Sequence, residues 1–197
     1  MPESPEEFYA RIHSQEPLPA PGVSSWEIFP WEVRDGEIVP RPLTPPAPER
    51  SRTGVEGCHG CTPGDPAPLI WSNGTWQVKA LPPSGLPLAL MLESVEHLDL
   101  PELDDIQAAA WGRWTVRLMR IVESLPHIGR CHVERWGDGA EHLHTWFFGR
   151  PEGIVSTLGS YSAEWDAILP PGPGDVRAAD LAEIARKLAN HEGTALV

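Results

Sequence analysis

Two short segments of this 197-residue chain hold residues that can bind a metal or attack phosphorus. Cys58 and Cys61 form a C-x-x-C pair, and His142 and His144 stand two residues apart in the segment 141–150. On a strand, this spacing turns both imidazoles to the same side. Thiolates and imidazoles are the usual zinc ligands, and a neutral imidazole is also a nucleophile near neutral pH. The sequence therefore offers a metal site and a nucleophilic histidine.

A structural zinc site takes four protein ligands, so the C-x-x-C pair requires two more. Histidines are the candidates: His97 follows a strand-like apolar segment, and His142 lies on a later predicted strand. A site built from both would join the C-x-x-C loop to the sheet. His59 and His132 are rival ligands that spacing does not exclude, and a pair of cysteines without metal is a further alternative.

The elements that must position these residues follow an α+β pattern. Apolar residues flank Asn73-Gly74, a dipeptide typical of a tight hairpin turn, and Gly137-Asp138-Gly139 separates two later strands. Strands are predicted over 75–81, 86–93, 130–136 and 142–149. A helix is predicted over 101–125, where one apolar face recurs at helical spacing and comprises Ile106, Ala110, Trp114, Leu118, Ile121 and Leu125. We therefore expect a mainly antiparallel sheet with one long helix.

Prolines mark the division of the chain, which has 23 of them. Residues 1–53 are predicted to form a proline-rich arm with a short helix over 3–13 and no further regular structure. The arm carries four apolar anchors for docking on the main domain or on a partner subunit, namely Trp26, Ile28, Phe29 and Trp31. The main domain is placed at 54–151, and a C-terminal helical extension at 152–197 contains predicted helices over 160–168 and 178–190.

Charge and composition exclude several classes of function. The chain has 28 acidic and 15 basic residues, a formal net charge of −13, which argues against binding to nucleic acid or to an anionic membrane. The N-terminal segment has no apolar core of a signal peptide, so a cytoplasmic location is expected. Three cysteines do not suggest a disulfide scaffold. The overall composition is typical of a bacterial protein.

The order of the motifs resembles the histidine-triad (HIT) superfamily over about residues 54–151. The motifs are C-x-x-C, W-x-N-x-x-W-x-V, P-x-G-L-P-L-x-L-x-L-E-S-x-x-H, D-L-x-E-L-D-D and G-D-G-x-x-H-L-H-x-W-x-x-G-R. This superfamily includes nucleoside phosphoramidases, dinucleoside polyphosphate hydrolases and the galactose-1-phosphate uridylyltransferase branch. The resemblance implies a HIT-like α+β fold, a homodimer, and a small phosphorylated ligand of the nucleotide type.

The resemblance also implies roles for individual residues. The family's H-x-H-x-H run falls on His142, His144 and Trp146, so the middle histidine, His144, would be the nucleophile that forms a nucleotidyl-histidine. Trp146 replaces the third histidine and has no acid–base function. Structural zinc would be held by Cys58, Cys61, His97 and His142. Residues expected to contact the ligand are Trp146, Gly137, Gly139, Arg150 and Asn73.

Three functions fit these features. The first is a nucleotidyl hydrolase or transferase that uses His144. The second is a zinc-stabilised nucleotide-binding or regulatory module without turnover, which the replacement at Trp146 favours. The third is a catalytic-zinc enzyme in which Cys58, Cys61 and one histidine leave a coordination position for water.

Overall fold

A computed structural model describes residues 1–18, 20, 29–49, 51–58, 60–61 and 67–197. Within these residues the helices are α1 (Pro5–His13), α2 (Asp105–Glu123), α3 (Ser162–Ile168) and α4 (Gly174–Ala189). The strands are β1 (Trp31–Arg34), β2 (Glu37–Pro40), β3 (Leu69–Ser72), β4 (Trp76–Ala80), β5 (Leu88–Ser94), β6 (Ile128–Glu134), β7 (His144–Pro151) and β8 (Thr194–Ala195).

Six strands form an antiparallel sheet in the order β6-β7-β5-β4-β3-β8. The predicted α+β class, with its antiparallel sheet and one long helix, is confirmed. Asn73-Gly74 turns the chain between β3 and β4, where Gly74 has φ +85°, a backbone conformation that glycine adopts without steric cost. The central strands β4 and β5 are largely buried, and α2 and α4 pack against the sheet through β3, β6, β7 and β8.

The long helix α2 begins four residues later than predicted. Asp104 is its N-cap and forms a capping box with Gln107, whereas Pro101 lies in a separate 3₁₀ turn over Leu100–Glu102. Trp114 and Leu118 lie in the core as predicted, but Ile106 is 79% exposed. Ile106 was expected on the buried face; it is exposed because the buried residues of α2 begin only at Trp114, two turns further along the helix.

Regular structure in the N-terminal arm exceeds the prediction. Helix α1 forms with Ser4 as N-cap, as expected. The prediction that prolines prevent further elements is wrong, because β1 and β2 form a separate two-stranded hairpin. Its turn is Asp35-Gly36, where both residues have positive φ. Of the four anchors, Trp26 and Ile28 lie outside the described residues, Phe29 is partly buried, and Trp31 is 38% exposed.

The C-terminal extension is integrated with the sheet. Helix α4 begins at Gly174 and supplies four core residues, Leu181, Ile184, Ala185 and Leu188. Strand β8 then pairs with β3 as an edge strand that the sequence did not suggest. Helix α1 docks on this extension of its own chain, since Phe8 is buried and Arg11 donates to the carbonyl of Pro170 at 3.1 Å. No helix in the described part of the chain is long and apolar enough to cross a membrane.

The second face of the sheet carries the polar side chains relevant to function. Cross-strand pairing places Gln77 beside Glu93 and Glu93 beside His144, and it likewise places Lys79 beside Met91 and Met91 beside Trp146. Directly opposed residues point to the same side of an antiparallel sheet, so these residues share one face. Ala163 of α3 packs over Phe148 at one end of this face, which leaves the end nearer His144 accessible.

Candidate functional site

The structure brings together the four residues predicted to bind a metal. One ligand atom from each of Cys58, Cys61, His97 and His142 lies within 4.8 Å of the others. The His142 Nδ1 is 3.3 Å from the Cys58 Sγ and 3.4 Å from the Cys61 Sγ, and the His97 Nδ1 is 3.3 Å from the Cys61 Sγ. The donors come from three separate parts of the chain.

These distances fit a tetrahedral zinc ion. Bonds of about 2.3 Å to sulfur and about 2.05 Å to nitrogen give a sulfur–nitrogen edge of about 3.6 Å in a tetrahedron. The three observed edges lie within about 0.3 Å of that value. Two thiolates and two imidazoles are also the donor set of structural zinc sites. The residues present therefore fit a closed, four-ligand site.

A hydrogen bond fixes the His142 tautomer that can bind a metal through Nδ1. Its Nε2 lies 2.9 Å from the carbonyl oxygen of Ser94, which can only accept, so Nε2 carries the proton and Nδ1 presents its lone pair to the thiols. Burial and the neighbouring Cys58 thiol raise the pKa of Cys61 above its ordinary value. A bound cation would oppose that rise, because coordination favours the thiolate.

The rival ligands differ in position. His132 lies on β6 opposite Phe148, away from the cysteines, and burial together with Arg150 lowers its pKa. It is not part of the cluster. His59 lies outside the described residues.

His144 is the first residue of β7 and is partly exposed. Its Nδ1 lies 2.7 Å from the carbonyl oxygen of His142, so the neutral ring donates Nδ1–H and carries its lone pair on Nε2. His142 itself precedes the strand, contrary to the predicted strand start at 142. The turn at 141–143 directs the His142 side chain toward the cysteines, while both histidines still border one cleft.

This cleft lies on the second face of the sheet, at the end of β5 and β7. Its wall combines the metal-site residues, the candidate nucleophile and two backbone segments, and comprises Thr53, Gly57, Cys58, Gly60, Met91, Glu93, Gly139, Ala140, His142 and His144. A small ligand in the cleft would therefore contact His144 beside the Cys₂His₂ cluster.

A buried carboxylate fixes the loop that precedes His142. Asp99 is 5% exposed and accepts hydrogen bonds from the guanidinium groups of both Arg52 and Arg135. Arg52 also donates to the carbonyl of Ala140 at 3.0 Å. Next to it, Thr53 forms backbone hydrogen bonds of 2.9 Å with both Gly139 and Glu141. We call the contacts of Arg52 and Arg135 with Asp99 the Asp99 clamp. The sequence did not predict it, because its members are distant in sequence and arginines are common on protein surfaces.

A second missed feature is an ion pair on the face that carries His144. The Lys79 Nζ lies 3.0 Å from the Glu93 Oε2, and each side chain is only 7% exposed. Gln77 also donates to Glu93, at 3.1 Å. The signal available in the sequence was a charged residue within each of two otherwise apolar strands. Buried charges are expensive unless paired, which makes such positions informative.

The predicted ligand-contacting residues divide into two groups. Gly139 borders the cleft, with open space where a side chain would stand, Gly137 lies in the same turn, and the Trp146 ring is 6.2 Å from that of His144. Asn73 is not brought to the cleft: its Oδ1 accepts from the backbone of its own turn, and its Nδ2 donates to Glu192. Arg150 lies six residues from His144 on β7, about 20 Å along an extended strand, which is too far for contact with the same phosphate.

Comparison with known proteins rests on structure. No protein-family profile matches the sequence, and no curated protein matches it. A histidine triad protein from Bradyrhizobium japonicum superposes with a TM-score of 0.51 at 15% identity, covering 61% of this chain and 90% of that chain. A histidine triad (HIT) protein from Sinorhizobium meliloti gives 0.49 at 16% identity, covering 60% and 89%. A Zn-bound histidine triad family protein from Mycobacterium smegmatis gives 0.48 at 17% identity, covering 66% and 91%.

The class of protein is thus defined by architecture: this chain has the histidine-triad fold. Within this fold the chain carries a Cys₂His₂ cluster and a His-x-His-x-Trp segment, and it ends in a helix and a short strand.

Proposed function

We propose that the protein binds a small nucleotide-type ligand and acts as a nucleotidyl hydrolase or transferase through a covalent intermediate on His144. The observation that carries this proposal is the 2.7 Å hydrogen bond from the His144 Nδ1–H to the carbonyl of His142. That bond holds the ring in the tautomer whose Nε2 lone pair is available for attack. The cleft beside it has room for a ligand, and the glycine turn leaves backbone near a bound phosphate.

The reaction has two displacements. In the first, the Nε2 lone pair of His144 attacks the α-phosphorus, and the bond from phosphorus to the leaving group breaks with its electron pair on the leaving group. In the second, water or another acceptor attacks the same phosphorus, loses a proton, and the phosphorus–nitrogen bond breaks to return the lone pair to Nε2. The intermediate divides one difficult substitution into two in-line steps.

We assign a structural role to zinc held by Cys58, Cys61, His97 and His142. When bound, the metal supplies a rigid link between the C-x-x-C loop and the segment that presents His144. Four protein ligands leave no coordination position for water, which favours this role over the catalytic-zinc alternative. The homodimer remains a prediction of the family resemblance, and the cytoplasmic location remains a prediction from the N-terminal sequence.

A second candidate is a nucleotide-binding or regulatory module without turnover. Trp146 favours it, because this residue follows His144 on the same face and offers one N–H donor but no group that can protonate a leaving group. In that case the cleft would bind the ligand and His144 would remain unmodified.

Intact-mass measurement separates the two candidates. The protein is mixed with adenosine 5′-phosphoramidate or diadenosine polyphosphate, quenched in alkali, and compared with His144→Ala and with His191→Ala, a control at an exposed histidine. An adenylyl adduct on the wild type and on His191→Ala, absent from His144→Ala, supports covalent catalysis. Binding without adduct or turnover, unchanged in His144→Ala, supports the module instead.

A further inference from the structure

An aromatic cluster begins beside His144 and runs toward β6. The rings of Trp146 and Phe148 are stacked, with centroids 5.8 Å apart and an interplanar angle of 10°. The Trp136 ring meets them at steep angles, with centroids 5.9 Å from Trp146 and 6.3 Å from Phe148. Because Trp146 is 6.2 Å from the His144 ring, the cluster is continuous with the candidate nucleophile.

Burial changes across the cluster. Phe148 is 4% exposed and packs with Leu86 and Ala89, so its role in the core is sufficient to explain it. Trp146 is partly buried, and Trp136 is 45% exposed in the turn that follows β6. Core packing does not account for a tryptophan that leaves nearly half its surface in solvent while its ring contacts Trp146, two residues from His144. Large rigid rings in such positions commonly contact ligands.

The indole N–H of Trp146 gives an independent indication. Its Nε1 is buried and has no hydrogen-bond partner among the described residues. Buried donors are nearly always paired, so an unpaired one beside a ligand cleft calls for an acceptor. A ring nitrogen or an exocyclic oxygen of a heterocycle stacked on Trp136 would supply that acceptor after rotation of the Trp146 indole, because the Trp136 and Trp146 planes meet at 64°.

We propose that Trp136 and Trp146 form a stacking subsite for a planar heteroaromatic ring carried by the phosphorylated ligand of His144. Trp146 lies two residues along β7 from His144, about 7 Å on an extended strand. One compact ligand could therefore place its phosphorus at His144 and its ring on the tryptophans. Stacking does not depend on which planar ring is present. The subsite therefore favours ligands that carry such a ring over phosphorylated ligands that lack one. The inference rests on the proposed function, since it takes His144 as the phosphate end of the site.

The subsite is tested by comparing two ligands that share a phosphate and differ in the ring. Calorimetric affinities for AMP and for ribose 5-phosphate are measured on the full-length wild type, Trp136→Leu, Trp136→Phe and Trp31→Leu. Trp31 is a matched control because it is 38% exposed but lies on the separate β1–β2 hairpin. We expect Trp136→Leu to weaken AMP binding about tenfold, the effect of about 1.4 kcal/mol of lost stacking, and to change ribose 5-phosphate binding by less than about twofold. Trp136→Phe and Trp31→Leu should keep the wild-type preference for AMP.

Three other results would contradict the proposal. Equal wild-type affinities for the two ligands, or AMP binding unchanged in Trp136→Leu, overturn the subsite while leaving the phosphate site at His144 intact. Failure of both ligands to bind the wild type overturns the proposed function as well. A changed oligomeric mass of Trp136→Leu with unchanged AMP affinity would assign Trp136 to contact between copies of the chain.

Discussion

The carbonyl oxygen of His142 accepts the Nδ1–H of His144 at 2.7 Å, while the ring of His142 lies in the Cys₂His₂ cluster. One residue therefore takes part in both the candidate metal site and the orientation of the candidate nucleophile. Any shift of the His142 backbone changes the direction of the His144 lone pair. Under the proposed mechanism, the integrity of the cluster would therefore affect the reactivity of His144 without any contact between the cluster and the substrate.

Loss of one thiol ligand should release the metal and destabilise the fold. We expect one zinc per chain in the wild type and none in Cys58→Ser, with a lower Tm, because the site joins three segments. Cys131→Ala is the control, because Cys131 is buried on β6 and is not one of the four clustered ligand residues. Metal analysis by mass spectrometry and thermal unfolding provide the measurements. A metal-free wild type with the same Tm as Cys58→Ser would refute the structural-zinc assignment.

Replacement of the buried carboxylate Asp99 should make the free energy of unfolding less sensitive to a fall in pH. Burial alone would raise the pKa of Asp99, but hydrogen bonds from Arg52 and from the backbone N–H of Leu100, with the charge of Arg135, lower it overall. Its contribution is therefore complete above about pH 4, the ordinary range of aspartate, and disappears as pH falls through the lower folded-state pKa.

Asp99→Asn keeps the size and the capping oxygen, so it isolates the charge. We expect it to lower the free energy of unfolding by about 2–3 kcal/mol at pH 7 and to reduce the loss of stability on acidification. Urea unfolding from pH 7 to pH 3 measures both, with Asp138→Asn as a control at an exposed carboxylate of the adjacent turn. Identical pH profiles for Asp99→Asn and wild type would show that the clamp contributes no such stability.

Removal of one partner of the buried Lys79–Glu93 pair should destabilise the fold strongly, whereas replacement of both partners by apolar residues should have little effect on stability. Lys79→Met leaves the Glu93 carboxylate buried without its ammonium partner, so we expect a loss of about 3–5 kcal/mol. The double variant Lys79→Met with Glu93→Leu should recover most of that loss. Lys187→Met, at a lysine that pairs with Glu183 on the surface of α4, should cost less than about 1 kcal/mol. Additive losses in the double variant would contradict coupling of the pair.

Trp146 should limit which leaving groups can depart. An amine leaving group needs a proton in the transition state, and tryptophan cannot supply one, whereas a phosphate leaving group needs none at neutral pH. We expect Trp146→His to raise kcat/KM for a phosphoramidate by about 10²-fold, with a much smaller change for a phosphoanhydride. Trp146→Phe is the control, because it removes the indole without introducing an acid–base group. Equal effects on both substrates in Trp146→His would exclude a general-acid explanation.

Local patterns predicted most of the fold. Asn73-Gly74 specifies its hairpin, Ser4 with Glu7 specifies the start of α1, and the apolar face of α2 follows from residue spacing. Asp35-Gly36 carried an equally local turn signal, but the surrounding prolines obscured it, and the short strands beside it were missed. The extent of burial was less predictable: Ile106 matches the helical spacing and is exposed, because spacing shows which face of α2 is apolar but not how much of its length is covered.

The candidate site was predictable where residue chemistry is unusual and not where it depends on register. Cys58 and Cys61 identify themselves by their spacing, whereas spacing left His59 and His132 open as rivals of His97 and His142. The pairing of Lys79 with Glu93 depends on the offset between β4 and β5, and the Arg52–Asp99 contact joins residues 47 apart. Neither can be read from neighbouring residues. Arg150 matched a motif, but the length of β7 separates it from His144.

The Cys₂His₂ cluster has a consequence for the synthesis of the chain. Cys61 and His142 are 81 residues apart, so at 5–20 residues per second the last donor follows the thiols by about 4–16 s. During that interval both cysteines leave the ribosome without the partners that enclose them. A reducing environment, or an early metal bound by the thiols alone, would protect them until His142 arrives. Completion of the cluster thus precedes closure of the nascent domain, because β7, α4 and β8 follow His142 along the chain.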